Sequence, residues 1–233
     1  MGIINVEDLR EKLNDIYNRI DVAAKKSGRV GKDVKLVGVT KGTDIDVVKI
    51  AYELGLDEFA ESRVQEFIPK QEELPTANWH FIGRLQTNKV KYIIDKVSLI
   101  HSLDSIALAE EINRQAKNRG LKANVLVEVN ISGESSKAGI EPKRCEDFLR
   151  TISEYENLTV KGLMTIAPFT ENREEIRFIF GNLYKLFIDI AEKEIHNIYM
   201  EYLSAGMTND FELAIEEGVN LVRIGTGIFG SRY

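Results

Sequence analysis

What most constrains this chain is a repeated alternation: eight short apolar runs, each followed by a longer stretch, several with apolar residues at helical spacing. Short apolar runs fit buried parallel strands and the longer stretches fit crossover helices, so the pattern is a series of βα units. The runs lie near 34–40, 58–60, 79–82, 98–101, 124–130, 160–165, 198–203 and 220–224. Eight such units favour a closed (β/α)8 TIM barrel, although the very short second run leaves a doubly wound open sheet as the alternative. Stretches 104–119 and 171–192 carry helical apolar spacing with many charges between. Ahead of the first unit, Val6, Leu9, Leu13, Ile16, Ile20 and Ala23 recur at helical spacing behind Asn5 as N-cap, which predicts an extra N-terminal helix. No Pro-, Gly- or Ser-rich linker interrupts the alternation, so a single domain over residues 1–233 is expected.

Composition narrows the function. With 43% hydrophobic residues, the 233-residue chain can bury a substantial core. A net charge of -6 argues against binding nucleic acid or a membrane surface wholesale, so an anionic ligand would need focused positive charge. Neither a secretory leader nor a membrane-spanning run is visible, which points to a cytoplasmic location. Cys145 is the sole cysteine, so no intrachain disulfide can form, in keeping with a reducing compartment. His80, His101 and His196 share no metal-ligand spacing with one another or with Cys145, so no metal site is expected.

Two closing segments suggest an anion cradle. Leu203-Ser204-Ala205-Gly206-Met207-Thr208 and Leu221-Val222-Arg223-Ile224-Gly225-Thr226-Gly227 each end an apolar run in small residues that can offer backbone N–H groups, with a helix starting near 208–210 between them. Phosphate binding after strands seven and eight is a recurring use of this barrel, whereas the plainer role for Gly225 and Gly227 is to shape a turn. In the first strand Val37, Val39 and Lys41 share a face, so Lys41 would stand at the carboxyl end of a barrel strand, where partial desolvation favours nucleophilic chemistry such as Schiff-base formation. The plainer role is a solvated loop lysine. Arg223 shares its face with Leu221 and Gly225 and should point inward, either to a ligand or to a carboxylate such as Glu128. His80 fits a hydrogen-bonded core residue better than a ligand contact; His101 is open between the two. The loop 131–139 and the polar segment 83–89 could cover a ligand or merely connect elements.

Several segments together resemble the pyridoxal-phosphate homeostasis proteins: Gly38-Val39-Thr40-Lys41, Trp79-His80-Phe81-Ile82-Gly83-Arg84-Leu85-Gln86-Thr87-Asn88-Lys89, Val127-Glu128-Val129-Asn130 with Ser132-Gly133-Glu134, Gly162-Leu163-Met164, and residues 203–232. The resemblance spans nearly the whole chain. It implies a barrel of the alanine racemase N-terminal-domain type, with pyridoxal 5′-phosphate (PLP) held as a Schiff base on Lys41. It also implies phosphate contacts from Ser204, Gly225 and Thr226, with Gly206 and Met207 lining the site and Arg223 facing the pyridine nitrogen. This chain reads Ala60-Glu61-Ser62 where the family usually shows Gly-Glu-Asn, so Ser62 departs from the pattern. His80 and Asn88 are candidate neighbours.

An arginine at the ring nitrogen disfavours protonating it and weakens the ring as an electron sink, and no second domain follows the last barrel unit, so the resemblance implies binding rather than turnover. The expected function is intracellular PLP (vitamin B6) homeostasis by a monomer, with PLP and PLP-dependent apoenzymes as partners and no catalytic residue. The alternative is a PLP-dependent amino-acid racemase or lyase, which needs a second acid or base opposite Lys41, with His80 and Tyr202 as candidates. A third reading is an aldolase-like barrel whose Lys41 condenses with a phosphorylated sugar.

Overall fold

Each of the eight apolar runs forms a strand in the computed structural model, which describes residues 5–134, 138–168 and 170–230. The strands are β1 (Lys35–Val39), β2 (Glu58–Glu61), β3 (Asn78–Phe81), β4 (Leu99–Leu103), β5 (Ala123–Glu128), β6 (Leu158–Met164), β7 (Ile198–Ser204) and β8 (Leu221–Ile224). They pair in chain order, all parallel, and β8 returns to β1 through Lys35 opposite Leu221 and Gly38 opposite Ile224, closing the barrel. The open-sheet alternative fails at the short β2, which is buried at all four positions and hydrogen-bonded to β1 on one side and β3 on the other. A strand with neighbours on both sides needs little length of its own.

Helices α1 (Val6–Lys26), α2 (Ile45–Glu53), α3 (Val64–Glu73), α4 (Ile106–Asn118), α5 (Cys145–Ile152), α6 (Arg173–Ala191), α7 (Phe211–Glu216) and α8 (Thr226–Phe229) surround it, while a 3-10 stretch (Thr87–Tyr92) links β3 to β4. The additional helix α1 begins as its sequence predicts, with the Asn5 side chain accepting from the Glu7 and Asp8 amides. Its apolar stripe of Leu9, Leu13, Ile16 and Ile20 is buried, and Arg29, just beyond it, donates to the Gly218 and Val219 carbonyls after α7. Residues 135–137 of the loop 131–139, and residues 231 and 232 of the closing motif, lie outside the described residues.

Apolar residues separate into two cores. The larger lies between the strands and the helices. The smaller, inside the barrel, is built on Val37, Ala60, Leu99, Leu126, Met164 and Leu221. Barrel interiors are ordinarily filled by branched apolar side chains in layers. Here six apolar residues share the interior with buried Glu58, His80, His101, Ser204 and Arg223. Among the described residues no buried side-chain nitrogen or oxygen lacks a hydrogen-bond partner, as a low-dielectric interior requires.

Cys145, at the start of α5, is fully buried, and burial pushes its thiol up to about 12. The thiolate is the reactive form, so the native protein should resist labelling by a thiol reagent at pH 8 and label fully on denaturation. Rapid labelling of native protein would contradict this packing.

Candidate functional site

Alternation along β1 turns Val37 into the inner core and places Val39 against it, and Lys41 follows two residues later. Thr40 faces the other way and is wholly buried, with its hydroxyl donating to Glu61 Oε1 at 2.7 Å. Lys70 Nζ donates to the Thr40 carbonyl and to Glu61 Oε1, both at 2.6 Å. The Thr43 amide closes a turn onto the Thr40 carbonyl at 2.8 Å, and the Gly42 amide donates to Glu66 Oε2 at 2.7 Å. That Gly42 amide is the main cause holding the Glu66 carboxyl below its ordinary value. The Lys41–Gly42 turn is therefore fixed from two sides by β2 and α3. Lys41 itself is half-buried, and among the described residues its amine has no hydrogen-bond or ion-pair partner.

Beside this turn, at the carboxyl ends of the strands, opens a cavity of about 680 Å³ whose lining includes Val39, Ile82, Met207, Arg223, Gly225 and Thr226. Thr208 and Asn209 add polar groups to its wall. The segments after β7 and β8 are joined there, since the Thr226 hydroxyl and the Gly227 amide both donate to Thr208 Oγ1, at 3.1 and 3.2 Å. Gly206 sits beneath this wall with φ of +79°, and a Cβ there would come within 2.8 Å of the Ala214 Cβ and 2.9 Å of the Phe211 Cα, so glycine is required by both conformation and space.

Arg223 is 4% exposed. Its guanidinium donates to Ser204 Oγ at 2.5 Å and to the Thr165 carbonyl at 3.0 Å, while its own amide is held by the Gly206 carbonyl. No carboxylate forms an ion pair with it among the described residues, so the Glu128 pairing is not what holds it; Glu128 and Asp210 act only at longer range. Burial lowers the Arg223 pKa to about 10 against the attraction of those two carboxylates, and the group stays cationic at neutral pH. Asp210 in turn accepts the Met207 amide at 2.5 Å, although burial raises its own pKa.

Below Arg223 a continuous chain of polar side chains crosses the barrel interior. Ser204 Oγ lies 3.0 Å from His101 Nδ1, His101 Nε2 lies 2.8 Å from His80 Nδ1, and His80 Nε2 lies 2.7 Å from Glu58 Oε2. Lys35, the first residue of β1, pairs with the other Glu58 oxygen. Burial works to raise the Glu58 carboxyl, but the hydrogen bonds from His80 and Lys35 prevail and hold it below its ordinary value. Burial, reinforced by His80 and Arg223, keeps His101 neutral far below its ordinary pKa.

A family model described as alanine racemase, N-terminal domain, matches residues 12–233. A pyridoxal phosphate homeostasis protein of Aquifex aeolicus (strain VF5) is 44% identical over 224 residues, covering 95% of this chain and 97% of that protein. The chain belongs to the pyridoxal phosphate homeostasis protein family. Among solved structures, a protein from Bifidobacterium adolescentis superposes with a TM-score of 0.92 at 34% identity, covering 98% of both chains. The structure of PipY from Synechococcus elongatus PCC7942 with PLP bound matches at 0.83 and 30% identity, covering 95% of this chain and all of that one.

Within this family fold, Met207, Arg223, Gly225 and Thr226 line the cavity; Lys41 follows the lining residue Val39 by two positions and is not itself part of the lining. Ser204 and Gly206 are buried beneath, and the Ser204 hydroxyl is committed to Arg223 and His101. His80 and Tyr202 do not stand opposite Lys41. They line a separate pocket with Lys35 and Glu58 at the amino-terminal end of the strands. Burial and the adjoining Glu201 push the Tyr202 phenol up to about 12, so it is no base at neutral pH. Asn88 is exposed in the 3-10 stretch, outside the cavity lining, and Ser62 donates its amide to its neighbour Glu61. Sequence reasoning missed Glu61, Glu66 and Lys70, whose roles depend on contacts between β1, β2 and α3 rather than on local spacing.

Proposed function

We propose that this protein binds pyridoxal 5′-phosphate reversibly in the 680 Å³ cavity and serves intracellular PLP homeostasis, with Lys41 as its covalent anchor. The observation that carries the reading is the Lys41 amine: half-buried, without a partner among the described residues, and carried by a pinned turn two residues past Val39, which lines the cavity. The donor set fits the cofactor. Gly225 and Thr226, the latter joined to Thr208, present polar groups for a phosphate, and Arg223 presents a fixed cation for the ring end. When bound, the cofactor supplies an aldehyde for an amine and an electron-withdrawing ring.

What this chain's own residues do favours holding over turnover. Arg223 remains a cation that no carboxylate among the described residues neutralises at contact distance, so it opposes a proton on any nitrogen placed against it. Both candidate second bases, His80 and Tyr202, are occupied at the other end of the barrel. In this reading the protein works as a monomeric single-domain barrel, and PLP-dependent apoenzymes are the recipients. The homeostasis names of the relatives and the PLP-bound PipY support it.

Borohydride reduction of protein mixed with PLP, followed by peptide mass analysis, should place a pyridoxyl phosphate adduct on Lys41. Lys41→Ala should lose the adduct and retain PLP on the order of 100-fold less tightly, about 2.8 kcal/mol. Equal retention by Lys41→Ala, or repeated turnover of an amino acid by the wild-type protein, would sink the proposal.

A further inference from the structure

We propose that Glu58, His80, His101 and Ser204 form a proton relay through the barrel interior, by which the protonation state of His80 sets the direction of the Ser204 hydroxyl beside Arg223. The four side chains come from β2, β3, β4 and β7, and their consecutive contacts of 2.7, 2.8 and 3.0 Å leave no gap. One end is Arg223 under the cavity; the other opens on a pocket of about 290 Å³ at the amino-terminal end, lined by Lys35, Glu58, Asn78, His80, Ser98 and Tyr202.

The donors and acceptors assign both imidazole tautomers. Arginine only donates, so Ser204 Oγ accepts from Arg223 and turns its own proton to His101 Nδ1. His101 then carries its hydrogen on Nε2 and donates to His80 Nδ1. His80 carries its hydrogen on Nε2 and donates to Glu58, which as a carboxylate only accepts. Reasoning from the glutamate end gives the same directions, so the two ends agree independently. Every donor points from Arg223 toward Glu58.

This ordering has one alternative. A proton arriving at Ser204 Oγ displaces the hydroxyl proton to His101 Nδ1, and the His101 Nε2–H bond breaks as that proton passes to His80 Nδ1. No electrons change hands. The products are a His80 imidazolium against the Glu58 carboxylate, a neutral His101 with its proton on Nδ1, and a neutral Ser204. His101 and Arg223 now both donate to Ser204 Oγ, so the hydroxyl proton must turn away from the chain. A purely structural ion pair would stop at His80. The charged and titratable groups around the chain are Lys35 on β1, Glu58 on β2, His101 on β4, Glu128 on β5, Lys161 on β6, Glu201 and Tyr202 on β7, Asp210 ahead of α7, and Arg223 on β8.

The relay operates without a ligand, while its use in tuning the ring end of a cofactor rests on the function proposed above. The test is therefore run first on the protein alone. The chain has three histidines, and the third, His196, is exposed and serves as an internal reference. With 15N-labelled histidine, ring-nitrogen NMR should find both His80 and His101 as Nε2–H tautomers at alkaline pH. On acidification His101 should switch to the Nδ1–H tautomer, still neutral, at the midpoint where His80 becomes doubly protonated. Glu58→Gln should lower that shared midpoint by about one pH unit or more, because the carboxylate that receives the imidazolium is gone. Lys35→Gln should raise it, because a competing cation is removed. In each variant His101 must move with His80. Retention of the Nε2–H tautomer by His101 throughout, or separate midpoints for the two rings, would overturn the relay even if neither variant folds. A PLP absorbance titration run in parallel decides the binding reading separately, since it does not depend on the ring tautomers.

Discussion

Replacing Lys70 with methionine is expected to lower the melting temperature by about 6–20 °C and to loosen the turn that carries Lys41. Lys70 and Glu61 form an ion pair at 2.6 Å with side chains 10% and 0% exposed. Removing one member of a buried pair costs about 3–5 kcal/mol, because the remaining charge keeps its desolvation penalty without its partner. For a domain of this size each kcal/mol shifts the melting temperature by roughly 2–4 °C. Thr40 Oγ1 and the Ser62 amide still donate to Glu61 in the variant, which favours the lower half of that range. The double variant Glu61→Gln with Lys70→Met removes both charges and should recover part of the loss. Thermal unfolding of the three proteins checks this, and a double variant no more stable than Lys70→Met would refute the buried-charge account. Because Lys70 also holds the Thr40 carbonyl, the proposed function predicts that the single variant forms a borohydride-trapped adduct on Lys41 more slowly below its melting point.

This network shows where the sequence is transparent and where it is not. Except for β7, which is exposed at Tyr199 and Glu201, the strands were legible because a strand buried on both faces reads as a short apolar run whatever its neighbours, and the observed ends of all eight fall within two residues of those expected. The inward position of Arg223 was legible because two-residue alternation fixes which side chains share a face. Glu61 was not, since its partner lies nine residues on in α3 and the pairing arises only when that helix folds back on β2. The interior chain was hidden for the same reason at longer range. His80 was recognisable as a hydrogen-bonded core residue, but His101 lies 21 positions from it and Ser204 a further 103 positions on. One inward polar residue in an apolar run carries no mark of what it meets across a barrel. Ser204 shows how the two sources combine: its place at the end of β7 pointed to the anion cradle, while its hydroxyl is spent on Arg223 and His101, beneath the cavity rather than in its lining.

Gly162→Ala should be the most damaging single methyl group that can be added to the barrel wall. Gly162 lies in β6 opposite Tyr202 of β7, where the register shifts after Val160, and its φ is +142°. A Cβ there would come within 1.8 Å of the Tyr202 carbonyl oxygen and 2.8 Å of its carbon, backbone atoms that cannot rotate aside. Overpacking of this kind costs about 1–3 kcal/mol, and a strained backbone conformation about 1–3 more. Together, about 2–6 kcal/mol approaches the whole stability of an ordinary domain at its upper end. Relief requires β7 to move, and β7 carries Ser204 two residues beyond Tyr202, so damage to stability should be accompanied by loss of the Arg223 and His101 contacts. Gly181→Ala, in the middle of α6, supplies the comparison. There φ is not in the left-handed region, and the new Cβ would meet only the flexible Glu217 carboxylate at 3.4 Å. That variant should gain about 0.5–1 kcal/mol from the helix preference of alanine over glycine. Equilibrium unfolding in urea separates the two, and a Gly162→Ala protein as stable as the wild type would mean that β6 and β7 do not approach as closely as the bulge at Gly162 places them.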